Sequence, residues 1–152
     1  MASFYAYGYL PGVTRSQGIR LSLSFQRQFM NDAVYYQGNL FTRPRGYKEF
    51  ISTLYAGGTV DYAFPIYLGD TEWGAFAYLK RLQIIPFVDA GMNYSGAVLQ
   101  KEIPEFKFSA GTDVLLDAHF LGIAWPVSIG FRYAYTLENP VNFQFLFSAN
   151  IN

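Results

Sequence analysis

The stretch Ile19-Arg20-Leu21-Ser22-Leu23-Ser24-Phe25-Gln26 places apolar side chains at odd positions and polar ones at even positions. Successive side chains of an extended strand point to opposite faces, so this stretch predicts a β-strand with one apolar and one polar face. Similar alternation recurs at Val60 to Ile66, Val88 to Met92, Phe106 to Phe120, Val127 to Tyr135 and Phe143 to Ile151. With a less regular opening strand near Ala2 to Leu10, the pattern predicts an all-β chain of about seven strands. Only Glu72 to Leu82 suggests a short helical turn.

The composition is unusually poor in solubilising side chains. Of the 152 residues, 51% are hydrophobic, 20% aromatic and only 14% charged, against an average charged fraction near 25%. Something apolar is therefore expected to cover the surface. The net charge is zero and no basic run occurs, which argues against a nucleic-acid partner. The absence of cysteine excludes disulfides and thiolate metal sites.

The chain has no stretch of about 20 apolar residues that would predict a membrane-spanning helix. Its N-terminus has neither the charged nor the apolar region of a secretory signal. We therefore expect the chain to be a piece of a longer gene product, or Met1 to be an artificial start.

The connections between the predicted strands are of two lengths. Pro11 to Gln17 and Gly122 to Pro126 are short, whereas Phe29 to Ser52 and Ser95 to Glu105 are longer. Short turns at one end and long loops at the other are typical of an outer-membrane barrel. Two connections depart from the pattern, because an insert from Gly69 to Arg81 lengthens one short-side turn and Glu138 to Val141 is tight on the long side.

Alternation alone does not say which face lies inside, because a soluble lipocalin-like barrel has the same period with its apolar face inward. Bulky runs such as Phe143-Phe145-Phe147 favour lipid, since they would crowd a closed interior. Charges on the other face suit a polar lumen and equally suit a solvated surface; they are Asp61, Asp89, Asp113, Asp117 and Arg132. On the membrane hypothesis, Phe108, Phe131 and Phe145 face lipid, whereas Asp113, Arg132 and Gln144 face the lumen.

The connection from Phe29 to Ser52 far exceeds the usual 4 to 6 residues. It is rich in large apolar side chains, and we expect it to fold back and bury them; they are Tyr35, Tyr36, Leu40, Phe41, Tyr47 and Phe50. Arg45 carries a planar fork that pairs with carboxylates, for which Asp61 and Asp89 are the candidates. Gly46 permits a positive φ, and Tyr47 supplies a ring to pack on the wall. The alternative is a solvated arginine and two ordinary aspartates.

Three segments resemble, in order and spacing, successive signatures of the bacterial surface antigen superfamily, which includes outer-membrane barrel-assembly insertases and related secretion transporters. They are Pro44-Arg45-Gly46-Tyr47, Thr59-Val60-Asp61-Tyr62-Ala63-Phe64-Pro65 and Phe87-Val88-Asp89-Ala90-Gly91. In the family the motif loop folds into the lumen and precedes the last five strands, and five alternating stretches follow it here. Pro44 stands where the family commonly has valine, and the chain ends in Ile151-Asn152 rather than on an aromatic.

The resemblance implies an antiparallel up-and-down transmembrane β-barrel of which residues 1–152 form the C-terminal part and residues 29–52 the lumen loop. It implies a non-catalytic role in inserting or translocating other proteins at the bacterial outer membrane, without a cofactor. The expected partners are the lipid bilayer, the remaining barrel strands, N-terminal periplasmic modules and client or secreted proteins. Phe87, Asp89 and Gly91 would form the strand motif.

Two other functions stay open from the residues alone. One is a small-ligand-binding β-barrel, soluble or in a membrane, and the less favoured one is an outer-membrane hydrolase that uses His119. No Gly-x-Ser-x-Gly, His-Glu-x-x-His or phosphate-binding glycine loop occurs. Asp117 and His119 are neighbours on one strand face and are weak metal-ligand candidates. A hydrogen-bonded pair is the commoner arrangement, so no metal is expected.

Overall fold

The computed structural model of the chain describes residues 2–29, 43–48, 53–74, 76–94, 104–120, 127–138 and 140–149. Seven antiparallel strands form one sheet in which each strand pairs with the next along the chain. They are β1 (Ala2–Pro11), β2 (Gly18–Arg27), β3 (Leu54–Trp73), β4 (Ala77–Tyr94), β5 (Glu105–Phe120), β6 (Val127–Thr136) and β7 (Asn142–Ala149). The prediction of an all-β, antiparallel, up-and-down chain is confirmed. The described residues contain no helix of the length and apolarity needed to cross a membrane.

The sheet is open in the part of the chain that the structure describes. β1 and β7 are its outer strands, and no pairing joins one to the other. We call the end of the sheet where β2 finishes and β3 begins the loop end. The opposite end, where β1 turns into β2, is the turn end. That turn is short, as predicted, and is closed by hydrogen bonds from Gly12 N to Gln17 O at 3.0 Å and from Gln17 N to Thr14 O at 3.1 Å.

The predicted helical turn from Glu72 to Leu82 is wrong, and the predicted insert from Gly69 to Arg81 is largely strand. Thr71 pairs with Leu79 and Trp73 with Ala77, so β3 and β4 continue almost to the tip of a hairpin. The β-branched and aromatic residues here favour strand, and Gly74 adopts the positive φ of 60° that the tip needs. The extra residues are absorbed by a register shift between Tyr67 and Thr71.

The two faces of the sheet are inverted relative to a soluble protein. Polar side chains dominate the buried set, which comprises Gln26, Asp61, Asp89, Asn93, Lys107, Ser109, Asp113, Asp117 and Thr136, against Tyr55, Ala77, Phe87, Ala118 and Ala134. The other face leaves large apolar side chains exposed, among them Phe131 (49%), Phe145 (61%) and Phe147 (64%). Soluble proteins seldom bury aspartates in preference to phenylalanines. We call these the polar face and the apolar face.

The strands are staggered along the sheet. One cross-strand row on the polar face runs through Tyr9, Arg20, Asp61, Phe87, Gly111, Ala134 and Asn142. Tyr9 lies two residues from the turn end of β1, whereas Asn142 is the first residue of β7 at the loop end. From this row to the loop end, β1 to β4 each extend seven residues, whereas β6 extends two and β7 none, so the last strands are displaced toward the turn end. Tilted strands in a barrel require a stagger of this kind.

Some predictions fall on residues that the structure does not describe. They include the burial of Tyr35, Tyr36, Leu40, Phe41 and Phe50, most of the connection from Ser95 to Glu105, the turn from Gly122 to Pro126, and the terminal Ile151-Asn152. The described part of the long connection after β2 is Phe29 with residues 43–48. The motif Arg45-Gly46-Tyr47 lies within it.

Candidate functional site

Arg45 lies against the polar face with its side chain only 9% exposed. Its guanidinium donates two parallel hydrogen bonds to Asp89, from Nε to Oδ2 at 3.0 Å and from Nη2 to Oδ1 at 2.8 Å. The backbone N–H of Arg45 also donates to Asp89 Oδ2, at 2.8 Å. A further hydrogen bond runs from Nη2 to Asp61 Oδ1. The loop is thus joined to the adjacent strands β3 and β4 by one side chain.

Other charged side chains extend this contact. Asp113 on β5 lies 3.6 Å from Arg45 Nη1 and accepts a bidentate pair from Arg132 at 2.7 and 2.8 Å. On the other side, Arg20 donates to Asp61 Oδ2 from Nε at 2.9 Å and from Nη2 at 2.6 Å. Arg45 therefore contacts three aspartates, and Arg20 and Arg132 pair with the outer two, Asp61 and Asp113. We call these six residues the charge row.

The ring of Phe87 forms the floor beneath Arg45. The guanidinium carbon of Arg45 lies 3.7 Å from the ring centroid, and that of Arg132 lies at 5.8 Å, within the range of cation–π attraction. Phe87 itself is 3% exposed. Burial alone would lower the pKa of Arg45, but the hydrogen bonds and charges of Asp89 and Asp61 outweigh it and raise that pKa. Arg45 is held in its charged form.

Gly46 lies where the loop backbone passes close to β6. Its φ is 87°, and a Cβ there would lie 2.8 Å from Thr136 Cγ2 and 3.1 Å from Ala134 Cβ. Both the backbone conformation and the space therefore require glycine. The carbonyl of Gly46 accepts a hydrogen bond from Asn142 Nδ2 at 2.6 Å, which ties the loop to β7.

Tyr47 reaches the sheet between β5 and β6. Its hydroxyl donates to the carbonyl of Phe108 at 3.0 Å. The same oxygen accepts from the backbone N–H groups of Phe108 and Leu137, each at 3.3 Å. Lys107 Nζ lies 4.7 Å from the centre of the Tyr47 ring. Tyr47 therefore contacts backbone on both strands as well as a buried lysine.

The strand motif Phe87, Asp89 and Gly91 presents all three residues to the polar face of β4. Phe87 supports the guanidinium and Asp89 accepts its hydrogen bonds. Gly91 supplies room, because a Cβ there would lie 3.1 Å from Pro44 Cγ and 3.0 Å from Tyr55 Oη. The spacing of two residues thus provides a floor, an acceptor and a gap for the loop backbone, in that order along one face.

Asp117 and His119 do not join the Arg45 site. Asp117 accepts hydrogen bonds from Ser128 and Gln83, each at 2.6 Å, and from Arg81, while His119 packs near Tyr78 with ring centroids 6.3 Å apart. Within the described ranges, no three His, Asp or Glu side chains gather closely enough to hold a metal ion. Asp117 instead binds neighbouring strands through hydrogen bonds.

Sequence reasoning missed several members of the site. Arg20, Asp113 and Arg132 complete the charge row, and Asn142 binds the loop carbonyl. All of them lie on the polar face of their strands, and the alternation of the sequence predicts that face. The strand register that brings them together could not be predicted from the sequence. Chemically, the arrangement neutralises buried charges and fixes a loop to five strands, β3 to β7. Comparison of the chain with protein-family models, curated proteins and solved structures found no match.

Proposed function

We propose that the chain is the C-terminal part of a bacterial outer-membrane β-barrel of the surface antigen type. In this proposal the complete protein inserts or translocates other proteins at the outer membrane without catalysing a chemical reaction. Lipid covers the apolar face, and the polar face lines the lumen. The segment carrying Arg45 is the lumen loop, latched to the barrel wall.

The observation that carries the proposal is the meeting of three sequence segments at one guanidinium. Arg45 comes from the loop motif, Asp61 from the second segment and Asp89 from the third, and Arg45 binds both carboxylates. These are the three segments that resemble the family signatures in residues, order and spacing. Their convergence in space supports a common origin with the family whose motifs they resemble. It supports the function only by that analogy.

The distribution of side chains supports a membrane environment. Exposed phenylalanines and tyrosines line the apolar face of β6 and β7, while carboxylates are buried on the opposite face. The strands are 8 to 20 residues long, and a strand needs roughly 9 to 11 residues to cross a bilayer. Most of them are therefore long enough to span it. The displacement of the last strands relative to the cross-strand row suits tilted barrel strands. A soluble ligand-binding barrel is less favoured, because it would place the apolar face inward.

The test is reconstitution of the full-length protein into lipid vesicles with an unfolded small outer-membrane barrel as client. Folded client is measured by its resistance to protease and its altered mobility on unheated gels. Wild-type vesicles should fold the client faster than empty vesicles, and Arg45→Ala should reduce that rate. Arg43→Ala is the matched control, because it removes a neighbouring arginine of the same segment.

Two results would overturn the proposal. One is wild-type protein that folds no client and moves none across the vesicle membrane. The other is full-length protein that purifies as a monomer without detergent and binds a small ligand instead.

A further inference from the structure

The β5–β6 ladder ends where Tyr47 enters it. The last pair of the ladder is Ser109 with Thr136, and the same register would next bring Phe108 opposite Leu137. On the other side of β5, pairing with β4 continues to Glu105. The loop-end part of β5 therefore remains a strand, and only its pairing with β6 stops.

The Tyr47 hydroxyl occupies the place of the missing backbone pair. A hydrogen-bonded antiparallel pair exchanges two N–H···O bonds between opposite residues. Here the N–H groups of Phe108 and Leu137 both donate to the Tyr47 oxygen, and the hydroxyl donates to the Phe108 carbonyl. One hydroxyl thus satisfies three of the groups that Phe108 and Leu137 would otherwise satisfy mutually.

We infer that Tyr47 acts as a wedge that holds β5 and β6 apart at the loop end, so that loop docking and closure of the next ladder pair exclude each other. With the loop docked, the ladder stops at Ser109 and Thr136. With Tyr47 withdrawn, Leu137 N–H can donate directly to the Phe108 carbonyl and the pair closes. The loop and the rim of the sheet form a two-state element, whatever task the complete protein performs.

Side chains bridge the gap while it is open. Lys107 donates to Glu105 on its own strand at 3.0 Å and to Glu138, beyond the end of β6, at 2.9 Å. Both glutamate side chains are 55% exposed, whereas that of Lys107 is 7% exposed. Lys107 also lies over the Tyr47 ring. Exposed ion pairs with long side chains hold a gap weakly, so Tyr47 is the main spacer.

Cysteine cross-linking in the full-length barrel tests the wedge, provided cysteines elsewhere are replaced. Phe108→Cys with Leu137→Cys reports closure of the pair, and Ala110→Cys with Tyr135→Cys is the matched control. The control pair belongs to the ladder and lies two residues further along on the same face. Tyr47→Ala should raise the oxidative cross-link at 108 and 137 by about fivefold relative to the control, roughly the effect of one net hydrogen bond. An unchanged ratio, with the control pair still cross-linking, overturns the wedge.

A second variant keeps the inference testable if Tyr47→Ala does not fold. Tyr47→Phe retains the ring and removes only the hydroxyl, so the strands stay apart while the amides of Phe108 and Leu137 lose their acceptor. Hydrogen exchange at those two amides should accelerate by about tenfold, and exchange at Ala110 should not change. Slower exchange at Leu137 in Tyr47→Phe would mean that the pair closes with the ring still in place, and equal exchange would mean that the hydroxyl is not the acceptor; either result overturns the wedge.

Discussion

Asp89 binds Arg45 twice over, through the main chain and through the side chain. Oδ2 accepts from the Arg45 backbone N–H at 2.8 Å and from Nε at 3.0 Å, while Oδ1 accepts from Nη2 at 2.8 Å. Asp89 is fully buried, and Ser109 Oγ donates to it at 3.2 Å. The contact therefore fixes both the position of the loop backbone and the direction of the guanidinium.

Arg45→Ala should release the loop without unfolding the barrel. In the proposed barrel, whose lumen would be partly wet, we expect a cost below the roughly 3 to 5 kcal/mol of breaking a fully buried pair. Arg45→Lys should rescue poorly, since an ammonium cannot form both parallel bonds. The measurement is protease sensitivity of residues 29–52 in the full-length protein for Arg45→Ala, Asp89→Asn and the double variant. Strictly additive effects would show that the two residues are not coupled.

Gly46→Ala should weaken docking of the loop. A residue with a Cβ at a positive φ costs about 1 to 2 kcal/mol. The new Cβ would also lie 2.8 Å from Thr136 Cγ2. Gly69→Ala is the matched control, because Gly69 has a φ of 66° but nothing within 4 Å of its Cβ position. Gly46→Ala should therefore lower the denaturation midpoint of the full-length barrel more than Gly69→Ala. Equal shifts would mean that the loop does not press on β6.

Phe145→Arg should impair barrel folding far more than Gln144→Arg. Phe145 lies on the apolar face and Gln144 beside it on the polar face, opposite Arg132. An arginine that faces lipid near the midplane costs about 2 to 4 kcal/mol. Folding yield in vesicles, measured by altered mobility on unheated gels, compares the two variants. Similar yields, or the reverse order, would show that the faces are assigned the wrong way round.

Residues 1–152 alone should not form a stable closed monomer. In the part of the chain that the structure describes, β1 and β7 each have one edge without a partner strand, and unpaired backbone groups in lipid cost several kcal/mol each. The isolated chain is expected to aggregate or to need detergent and added strands. The oligomeric state is measured by size-exclusion chromatography, and the cooperativity of unfolding by thermal melting, both without detergent. A monodisperse monomer with a cooperative melt would contradict the membrane assignment.

The strands could be predicted from sequence because their period follows from backbone geometry. β5 was expected from Phe106 to Phe120 and extends over Glu105–Phe120. The helical turn near Glu72 was wrong because local propensity does not reveal that Trp73 finds Ala77 as a partner across a tight tip. The environment of each face could not be derived either, since water and lipid impose the same alternation. The burial of Asp89 beside exposed phenylalanines shows which face is covered within the chain, and lipid on the other face is part of the proposal.

The pairing of Arg45 with two strand aspartates was an expectation from the loop motif, whereas the rest of the charge row was not. Arg20 meets Asp61 only through the register of β2 on β3. A short turn would have fixed that register, but the connection between these strands runs from residue 28 to residue 53. Arg132 meets Asp113 through the register of β5 on β6, across a connection whose pairing the sequence does not define. The alternation of a sequence predicts which face of the sheet a side chain occupies, but only the register between strands determines which residue lies beside it.

The hydrogen bond from Asn142 to the Gly46 carbonyl joins residues 96 positions apart in the chain. Contacts so distant in sequence form late, because the intervening chain must be ordered first. The loop can complete its docking only after the last strand has joined the sheet. Full docking of Gly46 therefore depends on the C-terminal hairpin, and protection of the loop from protease reports that this hairpin has formed.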